Sequence, residues 1–133
     1  MVAQKLLEGN VLWSYDHELD TKTSWIKKIA GLFSFLPPLH HHEGAILLTD
    51  HSLSISGDED LVLPLRDIEE VFIGFDELFP ASSVKNFGAF WQPIRLKASP
   101  GMADVLTIYM VINYNGLFTA NKDWFNALIR LLR

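Results

Sequence analysis

Between Gly44 and Gly57 the sequence reads GAILLTDHSLSISG, two short runs separated by Asp50-His51. In the second run Leu53 and Ile55 alternate with Ser52, Ser54 and Ser56. A period of two marks a strand with one buried face. Two residues is the length of the tightest hairpin loop, and aspartate tolerates left-handed backbone there. The stretch therefore predicts an antiparallel hairpin. A hairpin alone is marginal in water, so the rest of the chain has to supply further strands or a covering helix.

It supplies both. Val11, Trp13, Tyr15, His17 and Leu19 alternate with Leu12, Ser14, Asp16 and Glu18, which predicts a half-buried strand. Gly57 to Asp60 reads as a turn, after which Leu61, Leu63 and Leu65 alternate with Val62, Pro64 and Arg66. Pro64 has no N–H to donate, so that strand belongs at an edge or a bulge. Val71, Ile73 and Phe75 continue the pattern, as do Ile94, Leu96 and Ala98, and Ser99 to Met102 reads as a turn. Val105 to Asn113 is strongly β-prone, and Asn115-Gly116 after it is a hairpin signal.

Two segments follow the helical period instead. Trp124, Phe125, Leu128, Leu131 and Leu132 form an apolar stripe, with Asn121 as the expected N-cap. Asp123 and Arg130 suit the two ends of that helix dipole. The second segment is Ser24–Leu36, where Trp25, Ile26, Ile29, Leu32, Phe33 and Leu36 project to one side. Lys27 and Lys28 project to the other, as does Phe35. Thr23 or Ser24 caps its start, and Pro37-Pro38 ends it because proline disfavours helix in the residue before it. Asp76 to Gln92 lacks either period and reads as a loop punctuated by Pro80 and Gly88, long enough to mark a functional segment.

Composition narrows the class. The 133 residues are 49% hydrophobic, which supports one core and one domain spanning 1–133. No apolar run approaches the ~20 residues that cross a bilayer, and the first residues lack the apolar region of a signal peptide. A net charge of -5 argues against a nucleic-acid partner and disfavours attraction to anionic lipid. With no cysteine there is neither a disulfide framework nor a thiolate site, which fits a cytoplasmic location.

Three stretches carry a family resemblance. Gly44-Ala-Ile-Leu-Leu-Thr-Asp-His-Ser-Leu53 resembles the hairpin of the pleckstrin-homology-like superfold, and within it the GRAM and bacterial PH families. Leu63-Pro-Leu-Arg-Asp-Ile-Glu-Glu-Val71 is similar to the strand that follows, and Asn121-Lys-Asp-Trp-Phe-Asn-Ala-Leu128 to the closing helix. The match runs over 44–133. The resemblance implies a mainly β fold, a partly open antiparallel barrel with a C-terminal helix. The 24–36 helix is an addition after the first strand. The family hairpin usually has arginine where this chain has Ser52, which removes a charge suited to anions.

Function is read from what remains. His40-His41-His42 attracts attention as a metal motif, but adjacent residues on a strand cannot all face one ion, and a solvated loop is the blander reading. Asp58-Glu59-Asp60 and Asp67, Glu69 and Glu70 read as solvated surface charge. There is no Gly-x-Ser-x-Gly elbow and no glycine-rich phosphate loop. The expectation is a non-catalytic binding or assembly module without a cofactor, acting on a protein partner or a second copy of itself. The alternatives are a phospholipid-binding domain and a histidine-dependent metal protein. The candidate surface comprises Trp25, Lys27, Lys28, Phe35, Phe87, Phe90 and Trp91, the last three as interface aromatics in the long loop. A loop folded back over the barrel end would instead cover them.

Overall fold

The computed structural model describes residues 4–19, 40–81, 90–102 and 104–132. Its strands are β1 (Lys5–Tyr15), β2 (His42–Thr49), β3 (Ser52–Gly57), β4 (Leu61–Pro64), β5 (Ile68–Ile73), β6 (Ile94–Ala98) and β7 (Leu106–Ile112). They form one antiparallel sheet in the order β4-β3-β2-β1-β7-β6-β5, curled into a half-barrel. The helix α1 (Asn121–Leu131) follows and packs against β5 and β7. The helix expected over Ser24–Leu36 lies outside the described residues.

The hairpin forms as its alternation predicts. Leu48 pairs with Leu53 and Ile46 with Ile55, on either side of Asp50-His51. At its far end Gly44 faces Gly57, and a Cβ on either would run into the partner strand's backbone. Only glycine permits the two strands to approach this closely there. The inward set from the barrel strands includes Trp13, Ile46, Leu53, Leu63, Leu96 and Met110, and α1 adds Trp124 and Leu128. Trp13 and Trp124 thus sit in the core, as their positions in the two periods predict.

Both ends of the sheet are blunted. β4 is four residues long and ends in Pro64. In β5 the pairing slips between Ile68 and Glu70, so that Glu69 is an extra residue opposite β6. Short strands, proline and bulges are all devices that make an edge a poor template for further pairing.

Several local expectations are corrected. β1 begins earlier than expected and stops at Tyr15, because Asp16–Glu18 forms a short 3-10 turn. The Glu18 carboxylate accepts the Tyr15 N–H at 2.8 Å, which fixes the turn. His17 is therefore not in a strand. Leu65 leaves β4 for a second 3-10 turn, Leu65–Asp67. Asn115-Gly116 does make a turn, with Gly116 at φ 99°, but no strand follows it among the described residues. The Ala120 N–H returns to the Ile112 carbonyl at 2.8 Å, and α1 starts at once.

Asn121 is the most consequential correction. It is the first helical residue, not the cap, and is 1% exposed. Its Oδ1 accepts the Ile112 N–H at 2.7 Å, and its Nδ2 donates to the Gln92 carbonyl at 2.7 Å and the Met110 carbonyl at 3.4 Å. One amide thus ties α1 to the end of β7 and to the segment leading into β6. Buried amides left without partners cost about 1–3 kcal/mol each. Asn121→Ala orphans the Ile112 N–H and weakens two carbonyls. The expected loss is about 3 kcal/mol in urea unfolding, larger than Lys122→Ala on the exposed face of the same turn.

Candidate functional site

β7 is apolar at nearly every position, and the structure shows why. Ile108, Met110 and Ile112 face the barrel interior, while Tyr109 and Val111 point to the outer face and are also buried. Strands covered on both faces read as continuous apolar runs. The outer cover is a second cluster in which Leu19, Phe79 and Trp91 pack on Tyr109 and Val111, with Leu12, Phe75, Leu78 and Tyr114 at its margin. Phe79 and Trp91, from the described parts of the aperiodic segment after β5, thus form a pad on the outer wall with Leu19. Phe79 is 1% exposed and Trp91 8%, so Trp91 is an internal anchor and is removed from the candidate surface.

A polar knot pins that pad. The Asp76 carboxylate accepts the Leu78 and Phe79 N–H groups, both at 2.9 Å, closing its own turn. It also accepts the Tyr109 hydroxyl at 2.7 Å and Arg95 Nη1 at 3.0 Å. Arg95 donates its other arm to Glu70 at 2.9 Å and lies 4.5 Å over the Phe72 ring. Burial pushes the Asp76 carboxyl up, but the hydrogen bonds from Tyr109, Phe79, Arg95 and Leu78 outweigh it and hold it below its ordinary value. Burial and the bond to Asp76 push the Tyr109 hydroxyl up, so it stays a donor.

At the rim of the pad the apolar surface is open. Phe90 is 45% exposed and Phe118 49%, and their rings meet edge to face at 5.5 Å. Leu117 beside them is 38% exposed. The Asn115 side chain holds this turn by accepting the Leu117 and Phe118 N–H groups at 3.0 and 2.8 Å. Tyr114 meets Trp91 at 6.1 Å, joining the turn to the buried pad. A rigid base thus presents an exposed aromatic pair. Of the candidate surface, Phe90 is the described residue that lies exposed. Leu117 and Phe118 join it at the surface, and an apolar pair directly after Asn-Gly is their signal in the sequence. Trp25, Lys27, Lys28, Phe35 and Phe87 lie outside the described residues.

The three histidines diverge. His40 Nε2 meets Glu43 Oε1 at 3.2 Å, and His41 Nδ1 meets Ser14 Oγ at 3.0 Å. His42 turns to a different set, with Nδ1 2.8 Å from Asp58 Oδ2 and Nε2 2.8 Å from both Glu18 oxygens. Among the described residues no group of three His, Asp or Glu side chains is placed to hold a metal ion. No described helix is long and apolar enough to cross a membrane. A groove of about 500 Å³ also runs between Leu6 and Leu7 of β1 and Asp123, Ala127, Arg130 and Leu131 of α1.

No family model matches this sequence, and no curated protein matches it. Among solved structures, the C-terminal domain of an unknown protein from Leishmania infantum is similar in fold, with a TM-score of 0.50 at 10% identity. The likeness covers 98% of this chain and 86% of that one. It concerns the fold alone, a mainly β half-barrel with a covering helix.

The knot at Asp76 makes a measurable prediction. Asp76→Ala removes the acceptor for four donors and is expected to cost about 2 kcal/mol in denaturant unfolding, with faster amide exchange at Leu78 and Phe79. A carboxyl held below its ordinary value contributes stability above that value and loses it as pH falls through the folded one. Wild type is therefore expected to lose more stability than Asp76→Asn between pH 5 and pH 3, read by thermal unfolding.

Proposed function

We propose that the chain is a non-catalytic binding module of the PH-like kind that docks a protein, a second copy of itself included, through Phe90, Leu117 and Phe118. The observation that carries this reading is the Phe90–Phe118 pair, nearly half exposed on a base fixed by Trp91 and Tyr114. Large aromatic side chains are over-represented at the centres of interfaces, and two of them adjacent on a rigid support lose little conformational entropy on docking. The PH-like and GRAM reading draws support from the element order among the described residues: one strand, then six more, and a last helix with Trp124 near its start. Ser52, at the position where the family carries arginine, leaves the hairpin without a charge for an anionic headgroup.

Self-association is tested by sedimentation over a hundredfold concentration range. The average mass of wild type is expected to rise with concentration. Phe90→Ser and Phe118→Ser are each expected to weaken association by about tenfold, the usual effect of truncating a central aromatic, with unchanged circular dichroism. A wild-type protein that stays monomeric throughout that range rejects self-association. A pair of variants that associate like wild type rejects this surface.

A further inference from the structure

We propose that His42 is a protonation-dependent clamp that holds the Asp16–Glu18 turn against the β3–β4 turn. The charge state of an imidazole sets how many N–H groups it offers. A neutral ring has one N–H, and only the cation has two. Both ring nitrogens of His42 point at carboxylates, Nδ1 at Asp58 and Nε2 at Glu18, each at 2.8 Å. The cation satisfies both. The neutral ring satisfies one and sets a lone pair against the oxygens of the other.

Every element around the ring contributes to this balance. From the turn after β1 comes Glu18, which also holds the Tyr15 N–H. From the β3–β4 turn come Asp58 and Glu59, the latter 3.5 Å from Nδ1. Asp58 accepts the Glu43 N–H at 3.0 Å, tying that turn to β2 itself. From β1, Trp13 lies under the ring at 4.5 Å between centroids, where an indole face favours a cation. Tyr15 meets the ring edge-on at 5.7 Å and donates its hydroxyl to Glu59 at 3.0 Å. Burial and the bond to Glu59 push the Tyr15 hydroxyl up to about 12, so Tyr15 carries no charge in the range concerned.

The direction of the pH effect follows. Burial works against charge on His42, but the bonds to Asp58 and Glu18 outweigh it and raise its pKa above 6.5. The bonds from His42 and the Glu43 N–H lower the Asp58 carboxyl below 3.8. A raised histidine contributes stability that is complete below its unfolded value and lost as pH rises through the folded one. A lowered carboxylate contributes above its unfolded value and loses it as pH falls. The clamp is thus closed between these limits and opens on the alkaline side above 6.5.

The test is an NMR titration of the imidazole carbons, joined to thermal unfolding and amide exchange from pH 6 to pH 9. The His42 midpoint is expected above 6.5. Glu18→Gln, which keeps the ring but removes one charge, is expected to lower its proton affinity about tenfold. Amides of residues 57–60 and of Tyr15 are expected to exchange faster above the midpoint, after correction for intrinsic rates, and His42→Gln to abolish that pH dependence. A wild-type midpoint at or below 6.5 overturns the proposal, whatever the variants do. So does a pH dependence of those amides that persists in His42→Gln.

Discussion

The double burial of β7 is the constraint on which the rest of the architecture depends. A strand that is apolar on both faces needs two covers, and one curled sheet provides only the inner one. The outer cover is assembled from chain with no regular period: Leu19 beyond β1, and Phe79 and Trp91 between β5 and β6. Each cover then needs a polar fastening that does not itself demand water. Inside, the fastening is the Asn121 amide; outside, it is the Asp76 carboxylate with Arg95 and Tyr109. Both are placed where β7 can be reached, and both combine a turn with a long-range tie.

The two fastenings differ in what they leave exposed. Asn121 is enclosed, so its bonds stabilise the join between strand and helix and offer nothing to solvent. Asp76 closes the turn that carries buried Phe79, whereas Phe90, beside buried Trp91, lies at the surface. The pad is wide enough to seal Trp91 but leaves its rim, Phe90 with Leu117 and Phe118, unsealed.

Much of the sheet was legible because period-two alternation is a local property. The hairpin about Asp50-His51, the edge position of Pro64 and the stripe of α1 all follow from spacing and from what proline lacks. The outer pad was not legible, because a cover of Phe79, Trp91 and Leu19 draws on distant residues with no shared period. The signal was in β7 itself: Leu106–Ile112 is apolar beyond what alternation requires. Asn121 misled for a related reason. Asparagine before an apolar stripe is the mark of a cap, and only the arrival of the Ile112 N–H and the Gln92 carbonyl from elsewhere turns it into a buried bridge. The consecutive histidines part company in space: His40 meets Glu43, His41 meets Ser14, and His42, at the start of β2, meets Glu18 and Asp58.

The blunted sheet edges bear on what kind of language a partner can use. Recognition by strand addition reads the main chain and is largely indifferent to composition. Pro64 ends β4, and the bulge at Glu69 interrupts β5, so neither margin offers a regular run of free backbone groups. Under the proposed docking, a partner would have to read side chains, by shape and by apolar chemistry. That mode is selective by nature, because a single substitution at the contact changes its meaning, and it leaves the scaffold itself free to vary in sequence without altering what is recognised.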